Sequence, residues 1–162
     1  MTPHSELERI EVRRMIAADP SEVFAVLTDP KGHVAIDSSG MLMAASGDRV
    51  AAVGDRFVVH MDREALNDVP LGMYDVTVII VKLDPDREIA WTVEGGLKLG
   101  HLYGYRLEPV PGGTLVTSYY DWSPVGQEWK DSGIFPVVPE SALRATLGIL
   151  ARTVAPGQPR PT

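Results

Sequence analysis

Histidine and tyrosine stand at alternate positions in His101-Leu102-Tyr103-Gly104-Tyr105. An extended chain therefore puts all three rings on one side. A histidine that titrates near neutrality, set beside a phenol, can polarise a carbonyl or shuttle a proton. The turn signal Pro111-Gly112-Gly113 joins this stretch to Thr114–Trp122, a hairpin partner that carries Tyr119 and Asp121. Either of those two can orient the histidine or a tyrosine. His101, Tyr105 and Asp121 are accordingly the candidate catalytic set, with His101 and Tyr105 as an acid–base pair. A second reading of the same residues stays open: the tyrosines are core aromatics with satisfied hydroxyls, and His101 sits at a sheet edge with a solvent-like pKa near 6.5.

Other chemistries find less support. The four histidines, His4, His33, His60 and His101, fall in four different elements. His33 and Asp37 are spaced i, i+4, and His60 and Asp62 share a strand face. Neither pair supplies the three or four ligands of a zinc site. Each reads as a surface histidine beside a solvated carboxylate, and no metal is expected. There is no cysteine, which excludes disulfides, thiol nucleophiles and sulfur-ligated metals. Ser38 and Ser39 lie in an Asp37-Ser38-Ser39-Gly40 turn rather than a G-x-S-x-G elbow, and Asp37 and Ser38 are expected to bond the local backbone. The glycine-rich Gly95–Gly100 stretch lacks the G-K-[ST] ending of a phosphate loop. It reads as a flexible hairpin, and no cofactor is expected.

The chain has 162 residues, 44% hydrophobic and 23% charged, which suits one globular domain. A net charge of −7 with scattered basic residues argues against nucleic acid as the main partner. No apolar run approaches the roughly 18 residues of a membrane helix, so no membrane insertion is expected. Charges in the first 14 residues occupy the place of a signal peptide's apolar core, which points to the cytoplasm.

The elements that must position these residues follow from periodicity. Leu7–Ala17 alternates and predicts a strand. Asp19-Pro20-Ser21-Glu22 is a helix start with a capping-box spacing, opening a helix over Pro20–Thr28 that buries Val23, Phe24 and Leu27. A short second helix is predicted over Lys31–Ile36. Alternating stretches then follow at Met41–Ala45, Val53–Asp62, Met73–Leu83, Glu88–Glu94, Gly100–Val110 and Thr114–Trp122. A long loop, Ser123–Pro136, leads to a terminal helix in which Leu143, Leu147, Leu150 and Val154 form one apolar stripe. Residues 1–6 and 156–162 are expected to be disordered tails around a single domain at 7–155.

This order resembles the START-like superfamily, which includes the polyketide cyclase/dehydrase and lipid-transport proteins. The resemblance rests on Asp19-Pro20-Ser21-Glu22-Val23-Phe24-Ala25-Val26-Leu27-Thr28-Asp29-Pro30, Val53-Gly54-Asp55-Arg56-Phe57, Gly112-Gly113-Thr114-Leu115-Val116-Thr117 and the terminal helix. One departure is His33-Val34-Ala35-Ile36-Asp37, where many relatives carry a tryptophan. The resemblance implies an α+β helix-grip fold, a curved antiparallel sheet of about seven strands wrapped around a long C-terminal helix, with two short helices after the first strand. It also implies a hydrophobic cavity between helix and sheet, toward which His101, Tyr103 and Tyr105 would face. Ile36, Phe57, Met61, Met73, Trp91, Tyr103, Tyr105, Trp129, Leu143 and Leu147 are the expected ligand-binding residues. Met41 and Met43 lie beside them, and methionine adapts to varied apolar shapes. Trp129 is either a lid residue or an anchor for its loop. The expected partner is a small, largely apolar molecule, aromatic, lipid or polyketide-like, bound by a monomer or weak homodimer. The alternatives are a cyclase/dehydrase-type enzyme and, with least support, a protein-interaction module.

Overall fold

The computed structural model describes residues 8–96 and 98–162. The N-terminal tail, the first residue of the first predicted strand and Leu97 of the glycine-rich hairpin lie outside the described residues.

Seven strands make one antiparallel sheet: β1 (Arg9–Ile16), β2 (Leu42–Ser46), β3 (Arg56–Asp62), β4 (Met73–Asp84), β5 (Glu88–Glu94), β6 (Leu102–Val110) and β7 (Gly113–Asp121). Their order is β1-β7-β6-β5-β4-β3-β2, a meander from β2 to β7 that the N-terminal strand completes from the far side. Two short helices, α1 (Pro20–Leu27) and α2 (Pro30–Ile36), follow β1. A four-residue helix, α3 (Gln127–Lys130), interrupts the long loop, and α4 (Glu140–Val154) ends the fold. This is the α+β helix-grip arrangement that the resemblance implies. Among the described residues no helix is long and apolar enough to cross a membrane.

Register decides which side chains meet. Across each ladder, directly paired residues share a face. Ile10, Val12 and Ile16 of β1 pair with Tyr120, Ser118 and Thr114 of β7. Tyr120 and Ser118 pair in turn with Tyr103 and Tyr105 of β6, and these with Trp91 and Ile89 of β5. Phe57 pairs with Val78, and Ile80 with Trp91. These residues form the inner face, and Leu143, Leu147 and Leu150 of α4 are buried against the same core. Burying apolar surface is worth about 25 cal/mol per Å², so this layer supplies the main stabilising term.

Two local details differ from the predicted caps. Asp19 makes no side-chain cap bond; its backbone carbonyl instead accepts from Glu22 and Val23, at 3.0 and 3.2 Å. The amide a capping carboxylate would take is therefore already satisfied. Asp29 is the residue that caps, its carboxylate accepting from the Lys31 amide at 3.0 Å at the start of α2. Gly32 is required there, because a Cβ would lie 2.0 Å from the Val26 carbonyl oxygen. The Asp37 turn matches its residue types in part: the Asp37 carboxylate accepts from the amides of Ser39 and Gly40, whereas Ser38 donates across the fold to the Ala142 carbonyl at 2.9 Å.

Candidate functional site

An aromatic ladder runs across the inner face. Trp91 stacks between Tyr103 and Tyr105, with ring centroids 6.1 and 5.9 Å away. Tyr103 stacks on Tyr120 at 4.7 Å, and Tyr120 leans on Trp122 at 5.4 Å. At the other end His33 meets both Phe57 and Trp91 edge-on. Stacked and edge-on rings at these separations add about 0.5–1.5 kcal/mol per pair to the area they bury.

His101 lies one residue before β6, and its backbone carbonyl accepts from the Thr92 hydroxyl at 2.8 Å. Its ring is buried, 4% of the residue remaining exposed. The Nδ1 atom lies 2.7 Å from the Tyr120 hydroxyl. Burial lowers the His101 pKa to about 4, so the expectation of a sheet-edge histidine with a solvent-like pKa is corrected. Tyr103 and Tyr120 both have their phenol pKa values raised, chiefly by burial, and their hydroxyls interact with one another. At neutral pH the trio is uncharged: one imidazole and two phenols linked by hydrogen bonds. The segment after α3 covers it. The Phe135 ring stands 6.1 Å from His101 at 87°, and the Val137 backbone reaches the Tyr120 hydroxyl.

The predicted catalytic set does not assemble as a set. Tyr105 is buried in the ladder, but its hydroxyl is bonded to Ser118, and the partner of His101 is Tyr120. Asp121 belongs to the outer face, where it accepts from Arg9 Nη1 at 3.2 Å and from the Ser123 amide at 2.9 Å. Tyr119 is also on that face, donating to Glu88 at 2.6 Å beneath the Arg9 guanidinium. Neither can orient His101, because successive residues of a strand point to opposite sides.

Of the predicted ligand-binding residues, Ile36, Phe57, Tyr105, Leu143 and Leu147 are buried in the core, and Met61, Trp91, Tyr103 and Trp129 pack partly buried against it. Met73 is 75% exposed and pairs with Asp62 on the outer face. Trp129 sits in α3, next to Lys130, which donates to the Ser123 carbonyl at 3.0 Å and so ties the loop's start.

His33, expected at the surface beside Asp37, is buried. Its Nε2–H donates to the Leu27 carbonyl at 2.7 Å, and burial lowers its pKa to about 4. It takes an inward position beside Trp91. His60 does not pair with Asp62; its Nδ1 atom faces Asp75 at 2.8 Å. Among the described residues no three histidine, aspartate or glutamate side chains cluster as metal ligands would.

The rings line the inner face, over which the resemblance places a cavity. Two surface grooves lie elsewhere: one is lined by Arg13, Arg14, Met15, Leu115 and the C-terminal Arg160–Thr162, the other by α1, α2, Arg49 and Thr153. Tyr120, His33 and Phe135 are the residues that spacing alone did not single out. The hairpin does contain a signal for the first: counting outward from Pro111-Gly112 pairs Val110 with Gly113 and so Tyr103 with Tyr120.

No curated protein matches the chain. Solved structures of similar fold are numerous. Protein CV1439 from Chromobacterium violaceum is 16% identical with a TM-score of 0.67, covering 92% of this chain and 99% of that one. The Aha1 dimer from Colwellia psychrerythraea is 19% identical with a TM-score of 0.59, covering 93% and 98%. The Polyketide_cyc-like protein Cgl2372 from Corynebacterium glutamicum is 22% identical with a TM-score of 0.51, covering 91% and 84%. A family model described as polyketide cyclase/dehydrase and lipid transport matches residues 8–155, nearly the whole described chain, and the chain belongs to that family.

Proposed function

We propose that the protein binds a small, largely apolar molecule with an aromatic or polyketide-like face, between α4 and the inner face of the sheet. The observation that carries this reading is the ladder Trp91–Tyr103–Tyr120 ending at an uncharged histidine under the Phe135 segment. Stacked rings offer a flat apolar wall, and a few buried hydroxyls and one imidazole supply the polar contacts that fix a ligand's orientation. Entry requires the 131–138 segment to lift, since Phe135 and Val137 cover the His101–Tyr120 pair.

Charge argues for orientation over proton transfer. With a pKa of about 4, His101 is protonated in about one molecule in a thousand at pH 7. An efficient acid or base has a pKa near the working pH. Neutral His101 and Tyr120 instead suit hydrogen bonding to a ligand carbonyl or hydroxyl.

The test is a fluorescence titration with the apolar probe 8-anilinonaphthalene-1-sulfonate, with native mass spectrometry of the freshly purified protein. Saturable binding that changes Trp91 emission, lost in Tyr103→Ala, is expected. Absence of both saturable binding and any co-purified mass would sink the reading.

The cyclase/dehydrase-type alternative draws on the same 2.7 Å contact of His101 with Tyr120. In it the pair transfers a proton, and His101→Ala lowers turnover by about 10²–10⁴-fold. In the binding protein that substitution lowers ligand affinity only by the value of one hydrogen bond, about 0.5–1.5 kcal/mol.

A further inference from the structure

The outer face of the sheet carries a second constellation, separate from the aromatic ladder. His60 of β3 is directly paired with Asp75 of β4, and its Nδ1 atom lies 2.8 Å from Asp75 Oδ1. Across its other flank, Ser46 of β2 is diagonal to it, and Ser46 Oγ lies 2.7 Å from His60 Nε2. The three side chains form one line: hydroxyl, imidazole, carboxylate.

The carboxylate fixes the proton positions. Ionised aspartate only accepts, so His60 Nδ1 carries the hydrogen that Asp75 receives. The neutral ring then presents a lone pair at Nε2, and the hydrogen in the Ser46 contact must come from the hydroxyl. This is the arrangement that activates a serine: the base is within reach of the nucleophile, and a third group holds the base in the required tautomer. Such a unit is recognised by geometry and roles rather than by chain order.

The surroundings allow a reacting group to approach. Ser46 is exposed, and the His60 and Asp75 side chains are 37% and 61% exposed. Ser46 is the last residue of β2, the terminal strand of the sheet, whose outward N–H groups no further strand takes among the described residues. The next residue, Gly47, has φ +139, and a Cβ there would lie 2.8 Å from Phe57 Cβ, so the chain needs glycine to turn at this point. Ala44 and Thr77, paired with His60 and Val58 in the register, are small.

We propose that Ser46, His60 and Asp75 form a nucleophilic triad that transfers small acyl groups from neutral esters to water. Ser46 Oγ bonds to the ester carbonyl carbon while its proton passes to His60 Nε2. The tetrahedral oxyanion collapses, the bond to the leaving alkoxide or phenoxide breaks, and the leaving oxygen takes the proton from Nε2. Water then adds to the acyl-enzyme and gives a proton to Nε2. The Ser46–acyl bond breaks with that proton returned to Oγ, releasing the carboxylic acid. Asp75 is the orienting group throughout and keeps its charge.

The test uses the full chain and two probes, a fluorophosphonate and p-nitrophenyl acetate. With the first, an Oγ–P bond forms and fluoride leaves. One adduct per chain, mapped to Ser46 by peptide mass spectrometry, is the expected result. Ser46→Ala abolishes the adduct, and His60→Gln slows labelling and p-nitrophenol release by about 10²-fold or more. Asp75→Asn slows both with the His60–Ser46 pair still present. Circular dichroism and unfolding curves of these surface variants should match those of the parent. Absence of an adduct, labelling at another residue, or rates unchanged in His60→Gln would overturn the proposal.

Discussion

The His33 ring meets Trp91 edge-on, their centroids 4.7 Å apart and their planes at 63°. One heteroaromatic ring therefore belongs to the wall of the aromatic ladder while its Nε2–H satisfies the Leu27 carbonyl at the end of α1. Packing and helix termination depend on the same uncharged side chain. Protonation would place a charge between Phe57 and Trp91, where burial shields it from solvent.

This sets a pH dependence. The folded-state pKa of His33 is lowered to about 4 from an ordinary 6.5, so the unfolded chain binds the proton more tightly. The associated stability is fully present above pH 6.5 and is lost as pH falls toward 4. The full loss at this site is about 3 kcal/mol. His101, also lowered to about 4 by burial, acts in the same window and direction. Urea unfolding at pH 7 and pH 5 should show a lower midpoint at pH 5, and His33→Leu should flatten the difference. A midpoint that rises on acidification would contradict both burials.

Removing the Tyr120 hydroxyl tests the pair at the other end of the ladder. Tyr120→Phe keeps the ring stack on Tyr103 but takes the partner from His101 Nδ1. A buried polar atom left without its bond costs about 1–3 kcal/mol. Tyr105→Phe, whose partner is Ser118, should leave the His101 imidazole chemical shifts nearly unchanged, whereas Tyr120→Phe should move them. Equal shifts in both variants would count against the assignment of Tyr120 as the partner.

Leu147 is 1% exposed and faces the sheet from α4. Truncation to alanine should lower the unfolding free energy by about 2–5 kcal/mol, the usual range for a leucine-sized hole in a rigid core. A change below about 1 kcal/mol in chemical denaturation would mean that α4 does not close the core as described.

Gly104 makes room for a ring on the outer face. A Cβ there would stand 2.3 Å from Tyr119 Cζ. Gly104→Ala must therefore push Tyr119 off its bond to Glu88 and from beneath the Arg9 guanidinium. A cost of about 1–3 kcal/mol is expected. In a Tyr119→Ala background the same change should cost much less, because neighbours sharing a contact are not additive. Equal costs in the two backgrounds would show that the ring is not the obstacle.

These residues also show what pattern alone could and could not reveal. Phe57, Trp91, Tyr103 and Leu147 were readable as inward side chains, because periods of two and 3.6 translate directly into faces. Tyr119 and Tyr120 are adjacent aromatics, and only strand register tells which one points inward. Asp121 looked like a partner for His101 because it lies on the neighbouring hairpin strand, yet it falls on the opposite side of the sheet. His33 lay in a helix of seven residues, too short for a stripe to mark its buried side. The Ser46–His60–Asp75 line crosses three strands on a diagonal, a relationship that spacing along one chain does not encode. The 131–138 segment has no regular period, so its cover over His101 had no signature at all.

Pairing of β1 with β7 joins Arg9 to Asp121, and α4 follows only after that. A ribosome-bound chain can therefore build the β2–β7 meander by local hairpins while its N-terminal strand waits for a partner more than a hundred residues away. Until β7 emerges, β1 has no ladder, and until α4 emerges the core lacks Leu143, Leu147 and Leu150. Distant pairings of this kind place a fold among the slower ones, in milliseconds to seconds rather than microseconds. The last fifteen-residue helix is thus the step that completes the core: a nascent protein stalled before residue 140 leaves the apolar side chains that Leu143, Leu147 and Leu150 would bury against without those partners, and the completed one does not.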